Sequence, residues 1–149
     1  MRLSPEGRTM TPARKRALLD GLRADLAAYR ELQKMLDDQF QAALRLDVDA
    51  LRALAAAIDT EVASLEARRD ARVARVGTGP GGAARLAETI FPGAECALQR
   101  ASVIKHCGEI DALIRACKAR VARNGNLLAM QSEAMHSLLK GEPHTYAPR

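Results

Sequence analysis

The chain contains no tryptophan, only two tyrosines and two phenylalanines, and few β-branched residues. Strands favour aromatic and β-branched side chains, so this poverty argues against a β-sandwich or barrel. Three cysteines, Cys96, Cys107 and Cys117, are widely spaced and form no CxxC pair. An odd, scattered set of this kind points to reduced thiols and a cytoplasmic setting rather than a disulfide framework. No apolar run approaches the roughly 18 residues of a membrane-spanning helix. The opening MRLSPEGRTM lacks the apolar stretch of a secretory signal. Stacking aromatics and a one-sided basic helix face are also missing, which argues against nucleic-acid binding.

What is abundant points one way. Twenty-nine Ala, 19 Leu, 18 Arg, 5 Lys and 9 Glu make 80 of the 149 residues. That passes the roughly 50% share typical of long helices and coiled coils. Hydrophobic residues make up 48%, too many for a disordered chain. The net charge of +5 comes from 23 basic and 18 acidic residues. Acids and bases are interleaved, so this balance speaks first for solubility.

The periodicity divides the chain into an all-α, coiled-coil-like antiparallel bundle of three long helices plus one short helix. Residues 1–10 read as a flexible arm, 11–141 as the bundle, and 142–149 as a polar tail. Thr11-Pro12 is a helix start, with Thr as cap and Pro at the first helical position. The first helix runs to about Leu44 on a stripe of Leu18, Leu22, Tyr29, Leu36, Phe40 and Ala43. Arg14-Lys15-Arg16 sits in its first turns, where the helix dipole disfavours cations. The run is either a solvated end or a docking patch for an acidic partner. Asp47 caps the second helix, with Leu46 placed to pack on Leu51 as a staple. That helix runs to about Val76 on Leu51, Ala55, Ile58, Val62, Leu65, Val73 and Val76, interrupted by a snorkelling Arg69. Gly77-Thr78-Gly79-Pro80-Gly81-Gly82 is a connector, not a phosphate loop, since no strand precedes it and no Gly-Lys-Ser/Thr follows. A short helix spans Ala83–Ile90, and Phe91-Pro92-Gly93 ends it.

The third long helix is expected from near Ala94 to Lys140 on Val103, Cys107, Ile110, Ile114, Cys117, Val121, Leu128, Met135 and Leu139. The stripe keeps its phase across Asn124-Gly125, so the helix is continuous there. At 1.5 Å per residue it is about 68 Å long, against about 50 and 45 Å for the first two. Part of it must outrun its partners unless something else covers it.

Catalytic constellations are not convincing. Glu133 and His136 form a single Glu-x-x-His step, whereas di-iron bundles need two such steps and two further glutamates. His106 and Cys107 are neighbours in sequence but point about 100° apart on a helix. The cysteines lie too far apart for a metal site and read as small core residues. Arg115, Lys118, Arg120 and Arg123 make a local basic cluster, the best anion site on offer. No catalytic residue, cofactor or metal is expected.

Two segments carry a resemblance to a known family. The first is Ala43-Leu44-Arg45-Leu46-Asp47-Val48-Asp49-Ala50-Leu51, continuing through Leu54, Ile58, Leu65 and Arg69. The second is Arg123-Asn124-Gly125-Asn126-Leu127-Leu128, then Leu138-Leu139-Lys140-Gly141 and Thr145-Tyr146-Ala147-Pro148. Together they resemble the FlgN family of flagellar export chaperones over about residues 15–148. Ala147 stands where that family usually has glycine. The resemblance implies a cytoplasmic, non-enzymatic chaperone of the bacterial flagellum. It would hold the C-terminal helices of hook-associated proteins and deliver them to the type III export gate and ATPase complex. An amphipathic client helix suits a groove on an under-covered helix. Ile114, Val121, Leu128, Met135 and Leu139 are the expected client surface, with Asn124 at its edge as a register-setter or a solvated residue. Tyr146 matches the family's tail tyrosine and so is expected to dock at the export gate. Self-association of the client-free chain is a further expectation. The alternative is a generic helical adaptor or scaffold.

Overall fold

A computed structural model describes residues 10–140. Four α-helices follow in order: α1 Pro12–Leu44, α2 Val48–Val76, α3 Gly82–Ile90 and α4 Ala97–Lys140. A single 3-10 turn, Ala94–Cys96, leads into α4, so the last helix begins three residues later than the sequence suggests. Of the expected arm only Met10 falls within the described residues, and it is buried in the core. The tail, including Tyr146, lies outside them.

Local chemistry accounts for the boundaries. The Thr11 hydroxyl accepts the Arg14 N–H at 3.2 Å, and Pro12 opens α1. The Asp47 carboxylate accepts the Ala50 N–H at 3.1 Å and starts α2. Between them, the Leu46 N–H bonds to the Ala43 carbonyl and the Asp47 N–H to the Ala42 carbonyl. This is a Schellman closure, with leucine in the left-handed position that usually takes glycine. Leu46 has φ 57° and is 64% exposed, so little of it is spent on the expected staple with Leu51. The Gly77–Gly82 connector is gathered by Arg85, whose guanidinium donates to the carbonyls of Val76, Thr78 and Pro80. Its carbonyls face a cation, the opposite of a phosphate cradle.

The long helices run up, down and up. α1 is the centre, with ten buried residues against one on α2 and four on α4. α1 and α4 are parallel and in strict register. Cys117 Sγ lies 3.7 Å from the Tyr29 carbonyl, Asn124 Nδ2 2.8 Å from that of Leu36, and Gln131 Nε2 2.8 Å from that of Ala43. Each step is seven residues on both helices, which is the coiled-coil repeat.

The core has two parts. At the end where α1 begins, Leu18, Leu22 and Leu26 pack with Leu86, Ala87 and Ile90 of α3 and with Val103 and Ile110 of α4. Nearer the middle, Ala28, Leu32, Met35 and Leu36 pack with Leu65 and Cys117. The short α3 seals only the first part. Beyond it α2 and α4 both pack on α1 but barely meet each other.

Candidate functional site

Two rows of α4 side chains face inward at heptad spacing. The first row, Val103, Ile110, Cys117 and Asn124, is buried. The second row, four residues on from each of these, is Cys107, Ile114, Val121 and Leu128, followed by Met135. Cys107 and Ile114 are half-buried and pack on the sealed core. Past Ile114 the cover stops: Val121 is 56% exposed, Leu128 36% and Met135 54%. The row emerges from cover beyond the core that α3 seals.

Val121, the first of the uncovered row, borders a groove of about 360 Å³, and Leu128 and Met135 follow beyond it along α4. Tyr29 and Leu32 of α1 form its floor, Val62 and Leu65 one wall, and Ile114 and Val121 the other. Arg69 and Lys118 stand at its rim. Burial pushes the Tyr29 phenol above its ordinary pKa, and the nearby Asp25 charge adds to that. Arg69 is exposed, as a snorkelling residue would be, and the half-buried arginines are its neighbours Arg68 and Arg72.

By the register, Leu44 at the end of α1 lies level with Ser132, so Glu133–Lys140 pass beyond α1 by about 12 Å at 1.5 Å per residue. Leu138 and Leu139 on this extension are exposed, as are Leu44, Leu46 and Val48 on the adjoining turn. Apolar side chains from two elements therefore gather at one end of the bundle.

Asn124 belongs to the scaffold beneath this surface. It is 2% exposed, and its amide donates to the Leu36 carbonyl and to Gln39 Oε1, each at 2.8 Å. Its own oxygen accepts from Arg123 Nε at 3.0 Å. Its contacts are with α1, so it sets register within this chain. Arg120 and Arg123 of the basic cluster are likewise committed to Asp37 of α1, at 2.9 and 3.1 Å. Arg123 also stacks 4.1 Å over the Phe40 ring. Burial pushes the Asp37 carboxyl up, but the hydrogen bonds from both arginines outweigh it, and the group lies below its ordinary pKa. That leaves Arg115 and Lys118 of the cluster exposed.

The other sequence candidates stay apart. Burial raises the pKa of the Cys107 and Cys117 thiols. Cys96 sits in the 3-10 turn, off the helical stripe. Among the described residues no three of His, Cys, Asp and Glu come together as a metal site. None of the described helices is long and apolar enough to cross a membrane.

One buried group escaped the sequence reading. Asp25 is fully buried between α1 and α2. Its oxygens meet Arg68 Nε and Arg72 Nη2, each at 2.5 Å. The signal was a pair of arginines four apart on the second helix, Arg68 and Arg72, flanking the one that was noticed.

Fold and surface together define an all-helical bundle with an incompletely covered apolar seam. The FlgN protein family model matches residues 10–141, most of the chain. The chain belongs to the FlgN family, a family of flagellar export chaperones and not of enzymes. No curated protein and no solved structure matches it.

Proposed function

We propose that this chaperone holds the C-terminal helices of hook-associated proteins in the cytoplasm and delivers them to the flagellar type III export apparatus. The observation that carries the reading is the second row of α4, which loses its cover past Ile114. A client helix laid between α2 and α4 would continue the place that α3 fills at the other end. Fully burying a Val, Leu or Met side chain is worth about 1.5–3 kcal/mol. Val121, Leu128 and Met135 are already partly covered, so each offers roughly half of that. With Leu138 and Leu139 the gross gain is about 4–9 kcal/mol, which association consumes in large part, so contacts with the floor and walls of the groove must contribute the rest.

In this reading Ile114, Val121, Leu128, Met135 and Leu139 touch the client, and Asn124 positions the helix that carries them. The same surface would pair two client-free copies. Tyr146 docks at the export gate, a role that rests on the family resemblance. Tyr146→Ala is expected to leave client binding intact while reducing secretion.

The test is isothermal titration with the C-terminal helical segment of each hook-associated protein from the same genome. Saturable binding with a negative heat-capacity change supports the reading. Val121→Glu and Leu128→Glu should abolish it while leaving the helical content unchanged. Absence of binding to every segment by the folded chain would favour an adaptor for a folded partner.

A further inference from the structure

A second concavity lies at the other end of the bundle, on the face where α1 meets α2. It measures about 230 Å³, and no residue of α3 or α4 lines it. Its rim is four arginines: Arg14 of α1, and Arg68, Arg72 and Arg75 of α2. Its floor is apolar and small, formed by Ala17, Leu18, Gly21 and Ala71. No acidic side chain lines it among the described residues. Asp25 beneath neutralises one guanidinium and leaves a surplus.

Two further features favour an anion here. Asp25 fixes Arg68 and Arg72 in place, so two of the guanidiniums are ordered before any ligand arrives. The first turn of α1 carries no acid, so its positive dipole end adds to the arginines' field. Gly21 is then accounted for. Glycine in a helix interior costs about 1 kcal/mol against alanine. A Cβ at this position would meet nothing within 4 Å, so close packing does not require the glycine. It leaves the pocket floor open.

We propose that this pocket docks an acidic side chain from a helix of a partner protein, at a site separate from the apolar groove. The floor selects the ligand: methylenes of a glutamate can lie on Ala17, Gly21 and Ala71 while guanidiniums take the carboxylate in paired hydrogen bonds. A free inorganic anion would gain nothing from that apolar floor. The Arg14-Lys15-Arg16 run is in this view the edge of a docking patch rather than a solvated end.

The experiment records the arginine Nε–Hε signals of the full chain during titration with a short capped helical peptide of alanine and glutamate. Its glutamine counterpart, and inorganic phosphate at equal ionic strength, serve as comparisons. The expected result is saturable shifts at Arg14, Arg68, Arg72 and Arg75 with the glutamate peptide alone. Arg14→Gln with Arg75→Gln should weaken binding at least about tenfold, the share of one charged hydrogen bond. Gly21→Met should fill the floor and weaken binding similarly, without loss of helix. Client binding at the groove should survive both variants, so failure here is distinguishable from failure there. Absence of binding, shifts spread over the exposed Arg16, Arg52 and Arg115, an equal response to phosphate, or indifference to Gly21→Met would each overturn the proposal.

Discussion

Asp25→Asn is the most informative perturbation of the scaffold. The carboxylate is fully buried and holds Arg68 through one oxygen and Arg72 through the other. The amide keeps the volume but removes the charge and turns one acceptor into a donor facing a guanidinium. Removing one member of a buried ion pair costs about 3–5 kcal/mol. The lower end applies here, because the Arg68 and Arg72 side chains are 28% and 19% exposed and can swing into the open pocket. For a chain of this size, about 3 kcal/mol lowers the melting temperature by roughly 6–12 °C. Urea unfolding followed by far-UV circular dichroism should show the midpoint falling with m unchanged. Replacing the whole cluster, as Asp25→Leu with Arg68→Met and Arg72→Leu, should recover most of the loss, since an apolar substitute leaves no charge unpaired. A change within about 1 kcal/mol for Asp25→Asn would refute the reasoning, and so would a triple variant no better than the single one.

Three further outcomes are expected. Asp37 titrates below its ordinary value in the folded chain, so its stabilisation is present above the unfolded pKa of about 4 and is lost as pH falls through the folded value. The side chain is 45% exposed, so the effect stays under about 1 kcal/mol, and Asp37→Asn should flatten the acid limb of a stability–pH curve. Asn124→Asp places an acceptor against the Leu36 carbonyl and Gln39 and should cost about 2–3 kcal/mol in urea. Leu46→Gly relieves a left-handed leucine and should stabilise the fold by about 1 kcal/mol, while weakening client binding in the same titration.

The long helices were legible because their punctuation is local. Thr11-Pro12 and Asp47 act within one turn of themselves, and the structure uses both as caps. The unbroken phase of the last helix across Asn124-Gly125 likewise follows from spacing alone, and α4 is continuous there. Burial was less legible, because it depends on what lies opposite. α1 is enclosed on several sides, so Asp25, Ala28 and Met35 are buried although they lie off its main stripe. α2 touches the rest on one edge, and only Leu65 on its long stripe is buried. A one-dimensional stripe cannot tell a central helix from a flanking one. Asp25 was missed for the same reason: its partners are 43 and 47 positions away on another helix.

The last helix is too long for its partners to cover, and the α1–α4 register decides where it outruns them. Because Cys117, Asn124 and Gln131 meet α1 carbonyls at a constant offset, α4 cannot slide without breaking all three contacts together. The surplus length therefore appears at one fixed place, beyond the α1–α2 turn. That placement puts the exposed part of the second row, the extension with Leu138 and Leu139, and the apolar turn residues at the same end. Asn124 looks like the signature of a binding surface when read in the sequence, yet its side chain is consumed inside the chain. In the proposed reading its contribution is to fix the register of the helix that carries Val121 and Leu128. A surface meant for an exchangeable helix needs such an anchor, since an apolar row free to slide would bury itself in the bundle. Asn124→Leu separates anchoring from contact. It should cost about 1–3 kcal/mol in stability, because Gln39 and the Leu36 carbonyl lose a donor and Arg123 Nε an acceptor. It should also broaden the distance distribution between spin labels on the exposed faces of α1 and α4 and lower client affinity. An unbroadened distribution with reduced affinity would instead mean that Asn124 touches the client itself.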